Sequence, residues 1–285
     1  MRFGVVLPTL AGDAGRVLSL ARRAESLGYD GVFVPDHLGT GTGPLPHEAF
    51  TTLAAVATAT SRVHLGTLVA RATLRPVGML VKTVAAVDAL SGGRVILGLG
   101  AGAAASGGED AAAGLPSLAA TARRAHLAET VDAVRVLLAG DPWPGGDRVP
   151  AIAGPFLPAP ERVPDVWVGG ASDAIARIAI DRGIGWNGWG LGGDRFEATA
   201  RAVAGAGGRP TWGGIVAVAP TARAVEDLLA RRHAAGLAAP HVTGTVADLR
   251  VWVDGLAAAG VDWVVAVVAG GEAGLETFAR EVAGR

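Results

Sequence analysis

An aspartate and a histidine stand side by side where a short apolar run ends. The run is Val32–Val34, and Asp36 and His37 follow it after a single proline. Carboxylate and imidazole groups are common proton carriers in enzymes, and free histidine titrates near neutral pH. His37 is therefore the candidate catalytic residue, with Asp36 as the group that orients it. The alternative is that the pair is only the polar end of a buried strand.

A second candidate site is rich in glycine. Gly169 and Gly170 follow an apolar run, and Ala171 and Ser172 lead directly into a helical pattern that Ser172 can cap. Free N–H groups at the start of a helix attract phosphate, so this turn is a candidate anion site. An ordinary capped turn between a strand and a helix uses the same residue types.

Further glycines occur at Gly100 and Gly102, in the stretch ILGLGAG. Their G-x-G-x-G spacing differs from the G-x-G-x-x-G of dinucleotide-binding turns, and no helix opens directly after them. Glycine lets a flat ligand approach the backbone closely, which makes both candidate cofactor contacts. The alternative is that they only allow tight packing at this strand end. Trp189, at the end of the run GWNGW, is a candidate of the same kind.

Composition excludes several classes of site. The 285 residues include no cysteine, which rules out disulfides, thiolate nucleophiles and cysteine-ligated metals. No His/Glu cluster has metal-ligand spacing and no serine lies in a G-x-S-x-G elbow, so we predict neither a metal nor a serine nucleophile. The formal net charge of −1 offers no electrostatic attraction for nucleic acid or an anionic membrane.

No apolar run approaches the ~20 residues of a membrane span, and the first residues do not follow the pattern of a signal peptide. We therefore expect a cytoplasmic protein with no membrane partner, whose partner is a small-molecule substrate.

Short apolar runs alternate with amphipathic stretches along the whole chain. The runs show no in/out alternation, as is typical of parallel strands buried on both faces. They are Phe3–Leu7, Val32–Val34, Val63–Val69, Val95–Leu99, Val166–Val168, Trp186–Trp189, Ile215–Val218 and Val261–Val268. Eight such repeats predict one α/β domain over residues 1–285, a (β/α)8 TIM barrel. A doubly wound sheet is the alternative.

Two irregular stretches interrupt the predicted repeats. Residues 101–116 form an insertion after the fourth strand, and residues 140–164 form another before the fifth. In a (β/α)8 barrel the loops after the strands build the active site, so residues at strand ends are the chemical candidates.

Taken in order, several segments resemble the bacterial luciferase-like flavin and deazaflavin oxidoreductases. They are GVVLP, ARRAESLGYDGVFVPDH, LAAVATATSRVHLGTLV, VKTVAAVDALSGGRVILGLGAG, VWVGGAS, GWNGWG and the closing VTGTVADLRVWVDGLAAAGVDWVVAVV. The resemblance covers essentially the whole chain. Its single-domain length and the GWNGWG segment are most similar to the branch that uses coenzyme F420.

The resemblance implies a barrel that holds an isoalloxazine or deazaflavin ring. In this family the third strand ends in a non-prolyl cis peptide that forms a bulge behind the ring. The matching positions are Leu68 and Val69, flanked by Thr67 and Ala70. The family's phosphate contacts correspond to Gly169, Gly170, Ala171 and Ser172, and its Asp-His pair near the ring corresponds to Asp36 and His37. Relatives are commonly dimers, which implies a homodimer or a higher homo-oligomer.

One departure concerns the residues after the fourth strand. Ala103, Ala104, Ala105 and Ser106 stand where relatives often carry Trp, Glu or Asn. A second acid is thus absent unless Glu109 or Asp110, in the following loop, takes its place. Alanines there favour an apolar substrate.

The resemblance implies an F420-dependent oxidoreductase that transfers a hydride between the deazaflavin C5 and a small, largely apolar molecule such as an enone, imine, ketone or alcohol. Two alternatives remain: a monooxygenase that uses reduced FMN and O2, and a non-catalytic flavin-binding barrel.

Overall fold

A computed structural model describes residues 1–9, 13–39, 46–103 and 107–284. The strands are β1 (Arg2–Val6), β2 (Gly31–Val34), β3 (His64–Thr67), β4 (Ala70–Arg71), β5 (Val95–Gly100), β6 (Asp165–Gly169), β7 (Gly185–Trp189), β8 (Pro210–Ala219), β9 (Val242–Thr245) and β10 (Trp263–Val268). The helices are α1 (Ala14–Ser26), α2 (Ala49–Ala59), α3 (Val77–Ser91), α4 (Gly107–Ala112), α5 (Ala120–Leu138), α6 (Asp173–Arg182), α7 (Gly193–Gly205), α8 (Ala222–Ala234), α9 (Val246–Ala258) and α10 (Gly271–Thr277), which runs into a π-helical turn, Phe278–Val282.

The chain forms two compact units. Unit one consists of Met1–Leu7, Ser19–Phe33 and Gly170–Arg285, and unit two of Pro8–Leu18 and Val34–Gly169. In unit one β1 pairs with β2 and β10, and β8 pairs with β7, β9 and β10. In unit two β5 pairs with β3, β4 and β6. All of these pairings are parallel.

The fold is the predicted (β/α)8 barrel. Parallel strands alternate with helices along the chain, and β10 pairs with both the first strand, β1, and β8. A doubly wound sheet keeps its first strand in the interior and does not pair it with the last strand in this way, so that alternative is wrong.

Each of the eight predicted apolar runs overlaps a strand, and three details differ. The third run, Val63–Val69, becomes β3 and the two-residue β4, with Leu68 and Val69 between them. β9 was not predicted, because its four residues include a glycine and two threonines and have no apolar run. The insertion at 101–116 also contains the short helix α4, which places Glu109 and Asp110 in a helix and not in a loop.

Aromatic rings fill the core of unit one. Trp186, Trp212 and Trp263 are at most 1% exposed. The Phe33 and Trp263 rings meet edge to face with their centroids 5.7 Å apart. Gly31 makes this possible, since a Cβ there would lie 2.9 Å from the Trp263 ring.

None of the helices in the described ranges combines the length and the apolar character that crossing a membrane requires.

In unit two, Arg94 ties the end of α2 to the starts of β3 and β5. Its guanidinium donates hydrogen bonds of 2.6–3.1 Å to the backbone carbonyls of Ala57, Thr60, Val63 and Ser91. The last carbonyls of a helix have no hydrogen-bond partner within the helix. An arginine guanidinium, which carries several N–H donors and no acceptor, is well suited to this position.

We predict that Arg94→Met lowers the free energy of unfolding by about 3 kcal/mol, because several carbonyls lose a charged donor at once. Thermal and urea unfolding followed by circular dichroism measure the change. The control is Arg22→Met, on the exposed side of α1, which should change the free energy by less than about 0.5 kcal/mol. Equal effects of the two substitutions would contradict the role assigned to Arg94.

Candidate functional site

The segment between β3 and β4 contains the predicted non-prolyl cis peptide. The bond between Leu68 and Val69 is cis, which confirms the expectation from the resemblance. The Leu68 N–H donates to the carbonyl of Val34 at 2.8 Å, and the Thr67 hydroxyl donates to the carbonyl of Gly98 at 2.7 Å. These bonds hold the segment between the ends of β2 and β5.

Three glycines make room for the Val69 side chain. A Cβ on Gly98 or Gly169 would lie 3.2 or 2.6 Å from Val69 Cγ1, and one on Gly100 would overlap Val69 Cγ2. A larger residue at Gly100 or Gly169 would displace the valine, and one at Gly98 would overlap the carbonyl oxygen of Thr67. The structure thus brings Leu68, Val69, Gly100 and Gly169 together, and it explains why β5 reads G-L-G.

Asp36 is buried and fully engaged. Its carboxylate accepts two hydrogen bonds from the Arg75 guanidinium, at 2.7 and 2.9 Å, and a third from the backbone N–H of Arg71 at 3.0 Å. The Asp36 side chain is only 2% exposed. A buried carboxylate needs such partners, so Asp36 joins the end of β2 to the segment after β4.

Glu48 completes this ion-pair network. Arg75 also donates to Glu48 at 2.5 Å, and the Glu48 carboxylate caps α2 by accepting the N–H of Thr51 at 2.6 Å. Burial alone raises the pKa of Glu48, but the hydrogen bonds from Thr51 and the charge of Arg75 outweigh it and leave that pKa below its ordinary value. Burial likewise lowers the pKa of Arg75, and the contacts with Asp36 and Glu48 raise it overall.

His37 lies beside a carboxylate from α4. Its Nδ1 is 3.3 Å from Oε1 of Glu109, and the imidazole is about half exposed, at 49%. The orienting acid that was expected to be Asp36 is thus matched in the structure by Glu109, since both Asp36 oxygens are bound elsewhere. Ala103 is exposed, and the neighbouring Ala104, Ala105 and Ser106 lie outside the described residues.

Arg71 and Gly102 lie near the same helix. The Arg71 side chain is 5% exposed, and its guanidinium is 3.0 Å from Asp110 and 3.5 Å from Glu109. Gly102 has a positive φ of 72°, and a Cβ there would meet the Cδ atoms of Arg71 and Arg123 at 3.6 and 4.0 Å. Gly102 therefore gives two arginine side chains space at the end of β5.

Gly170, Ala171 and Ser172 of the predicted anion turn belong to unit one, and Gly169 ends β6 in unit two. Gly170 donates its N–H to the carbonyl of Asn187 and accepts the indole N–H of Trp186, both at 3.1 Å. Ser172 occupies the N-cap position of α6 as predicted, yet its hydroxyl makes no capping hydrogen bond. The hydroxyl and the first N–H groups of α6 thus have the chemistry of an anion site.

Arg195 stands beside the same turn. From the first turn of α7 it donates to the carbonyl of Ala171 at 3.4 Å and to the carboxylate of Asp173 at 2.9 Å. Asp173 lies in the first turn of α6, where its charge would repel a phosphate, and Arg195 offsets that charge. Sequence reasoning missed Arg195 because its partners are some twenty residues away.

Trp189, at the end of β7, also belongs to unit one. Its ring meets the His241 ring edge to face, with the centroids 5.9 Å apart. The His241 Nδ1 accepts the N–H of Ile215 at 2.9 Å, which fixes the imidazole against the tryptophan. A Cβ on Gly213 would lie 2.9 Å from the Trp189 ring. The absence of a side chain at Gly213 therefore leaves room for the indole.

The family model for luciferase-like monooxygenases matches residues 1–262. The chain belongs to this family.

Two curated proteins are similar to this family member over part of their length. Both are named F420-dependent glucose-6-phosphate dehydrogenase. The one from Beutenbergia cavernae is 38% identical over 41% of this chain and 35% of its own length. The one from Amycolatopsis mediterranei is 32% identical over 60% of this chain and 52% of its own length. The chain therefore spans about a third to a half of the length of these relatives.

A solved structure confirms the luciferase-like fold. The monooxygenase RslO1 from Streptomyces bottropensis superposes with a TM-score of 0.79, over 100% of this chain and 99% of that one, at 22% sequence identity.

We predict that Gly100→Ala destabilises this luciferase-like barrel by about 1–3 kcal/mol, because the new methyl group overlaps Val69. Adding Val69→Ala should recover part of the loss, giving a coupling energy of about 1 kcal/mol in a double-mutant cycle of unfolding free energies. The control is Gly255→Ala, inside α9, where a Cβ has nothing within 4 Å. That change should stabilise the protein by up to about 1 kcal/mol. Simple additivity of Gly100→Ala and Val69→Ala would contradict the packing described.

The charge of Glu48 makes the stability of the fold depend on pH. The pKa of Glu48 is lowered in the folded state, so ionised Glu48 stabilises the fold above its ordinary value of 4.5, and this stabilisation is lost as the pH falls through the lower folded-state value. Glu48→Gln should therefore lower the free energy of unfolding at neutral pH by up to about 1 kcal/mol, which thermal unfolding measures as a lower melting temperature. The difference from the parent should shrink in acid, and a difference independent of pH would refute it.

Proposed function

We propose that this chain is an F420-dependent oxidoreductase that transfers a hydride between the deazaflavin C5 and a small, largely apolar organic molecule. The observation that carries the proposal is the similarity to two curated relatives whose names state F420 dependence, at 38% and 32% identity. Because the chain spans only part of those relatives, their sugar-phosphate substrate is not carried over.

Each unit by itself contains residues whose chemistry fits one part of a phosphate-bearing tricyclic cofactor. A flat ring needs a smooth apolar surface, and the Leu68–Val69 segment, embedded among glycines of β5 and β6, supports that requirement. A phosphate needs hydrogen-bond donors that are not already in use. The Ser172 hydroxyl, at the start of α6, makes no capping hydrogen bond and can serve as such a donor. Within unit two we assign Leu68, Val69 and Gly100 to contact with a ring, and within unit one we assign Ser172 and the first N–H groups of α6 to contact with a phosphate.

When bound, F420 supplies hydride transfer at C5. His37 is the residue that we assign to proton transfer at the substrate oxygen or nitrogen, since its imidazole is partly exposed and a neutral imidazole carries one donor and one acceptor nitrogen. Asp36 holds the backbone of Arg71 and the side chain of Arg75, and thereby fixes the end of β2 from which His37 projects.

The environment of His37 favours a neutral substrate. Arg71 ends β4 and Arg75 follows it, and both are paired with carboxylates. Arg71 pairs with Glu109 and Asp110, and Arg75 pairs with Asp36 and Glu48. Binding an anionic group at either arginine would require breaking a buried ion pair, which is costly. Enones, imines, ketones and alcohols are the substrate classes that meet this condition.

The test compares cofactors and then turnover. Fluorescence titration should show F420 binding at least about tenfold more tightly than FMN. Reduced F420 should then be oxidised by one or more members of a panel of enones, imines and ketones, above the protein-free rate. Tight FMN binding without F420 binding would replace the proposal by the reduced-FMN monooxygenase, and cofactor binding without any turnover would favour the non-catalytic barrel.

We further predict that Ser172→Ala raises the Kd for F420 about tenfold, because a charge-assisted hydrogen bond to the phosphate is lost. The matched control is Ser26→Ala, whose hydroxyl donates to a carbonyl in the last turn of α1 and which should leave the Kd unchanged. Fluorescence quenching measures both. An unchanged Kd for Ser172→Ala would remove Ser172 from the phosphate site.

A further inference from the structure

Apolar packing does not hold the short helix α4 in its position. None of its six residues, Gly107–Ala112, is buried, and its sequence GGEDAA has no large apolar side chain. Its contacts with the rest of unit two are therefore polar, and the carboxylates of Glu109 and Asp110 make them.

The buried guanidinium of Arg71 accounts for the two carboxylates on α4, those of Glu109 and Asp110. Its guanidinium nitrogens are buried, and among the described residues none of them finds an acceptor with hydrogen-bond geometry. An isolated charge in this position would cost several kcal/mol. Glu109 and Asp110, at 3.5 and 3.0 Å, supply the compensating negative charge. Arg71 thus anchors α4 electrostatically.

The same arrangement fixes the Glu109 carboxylate relative to His37. Oε2 lies 3.5 Å from Arg71 Nη2 and accepts the N–H of Leu38 at 3.4 Å, while Oε1 lies 3.3 Å from His37 Nδ1. The side chain is 17% exposed. One oxygen is held by the residue after His37 and by a buried arginine, and the other is left facing the imidazole.

We propose that Glu109 is a positioning residue for His37, anchored by Arg71. The negative charge of Glu109 lies 3.3 Å from Nδ1 and repels a lone pair there, so it favours the neutral His37 tautomer with the proton on Nδ1 and the lone pair on Nε2. The Nε2 atom is then the one that exchanges a proton with the substrate, and Glu109 sets the orientation and the tautomer of the ring. The inference rests on the function proposed above.

The test reads the His37 tautomer in the cofactor-free protein. With nitrogen-15 in the six histidines, the ring shifts at a pH where the imidazole is neutral distinguish Nδ1–H from Nε2–H, and His37→Gln assigns the signal. We expect the Nδ1–H form in the parent protein. Glu109→Gln should shift the ring toward the Nε2–H form.

Asp110→Asn is the matched comparison. It removes an acid from the same helix and one ion pair from the same arginine, but Asp110 has no contact of the kind that Glu109 makes with His37. We expect it to keep the Nδ1–H form. An unchanged tautomer in Glu109→Gln, or the same shift in Asp110→Asn, would overturn the proposal, the latter because loosening of α4 would then explain the effect.

Turnover provides a second readout once F420 and a substrate are in hand. Glu109→Gln should lower kcat about 10- to 100-fold and leave the Kd for F420 within about twofold of the parent value. A loss of F420 affinity without a fall in kcat would overturn the proposal. Failure of the parent protein to bind or use F420 would instead refute the proposed function, while the tautomer measurement would still decide whether Glu109 positions His37.

Discussion

Two charged side chains buried at the strand ends of unit two require partners, and much of the site follows from how they find them. Asp36 is 2% exposed, and it is held by Arg75 and by the backbone of Arg71. Arg71 is 5% exposed, and the acids of α4 compensate its charge. Since an unpaired charge at either position would cost several kcal/mol, these contacts determine where the end of β2, the segment after β4 and helix α4 lie.

The glycines of β5 and β6 impose the complementary steric constraint. Gly98, Gly100 and Gly169 leave the volume that Val69 occupies, so the segment after β3 can fold inward against the sheet. Glycine costs conformational entropy in a strand, and here the cost is offset by a close approach that no other residue permits.

Sequence reasoning found most of the elements and part of the site. The valine-rich runs located the strands because strands buried on both faces have a strong local signal. The cis bond at Leu68–Val69 came from the family resemblance, and the structure confirms it. Glu48 and Arg195 were not assigned, because their ion-pair partners lie between about twenty and thirty residues away. Asp36 was placed beside His37 as its orienting group, whereas the carboxylate that the structure puts there is that of Glu109.

The amino-acid sequence by itself determined the alternation of strands and helices, the absence of thiol chemistry, the glycines at the strand ends and the position of Asp36 and His37. These properties depend on neighbours in the chain or on composition alone. Only the tertiary structure decided which acid meets which base. Asp36 lies next to His37 in sequence yet pairs with Arg75, and Glu109 reaches His37 across 72 residues of chain because a buried arginine holds its helix in place.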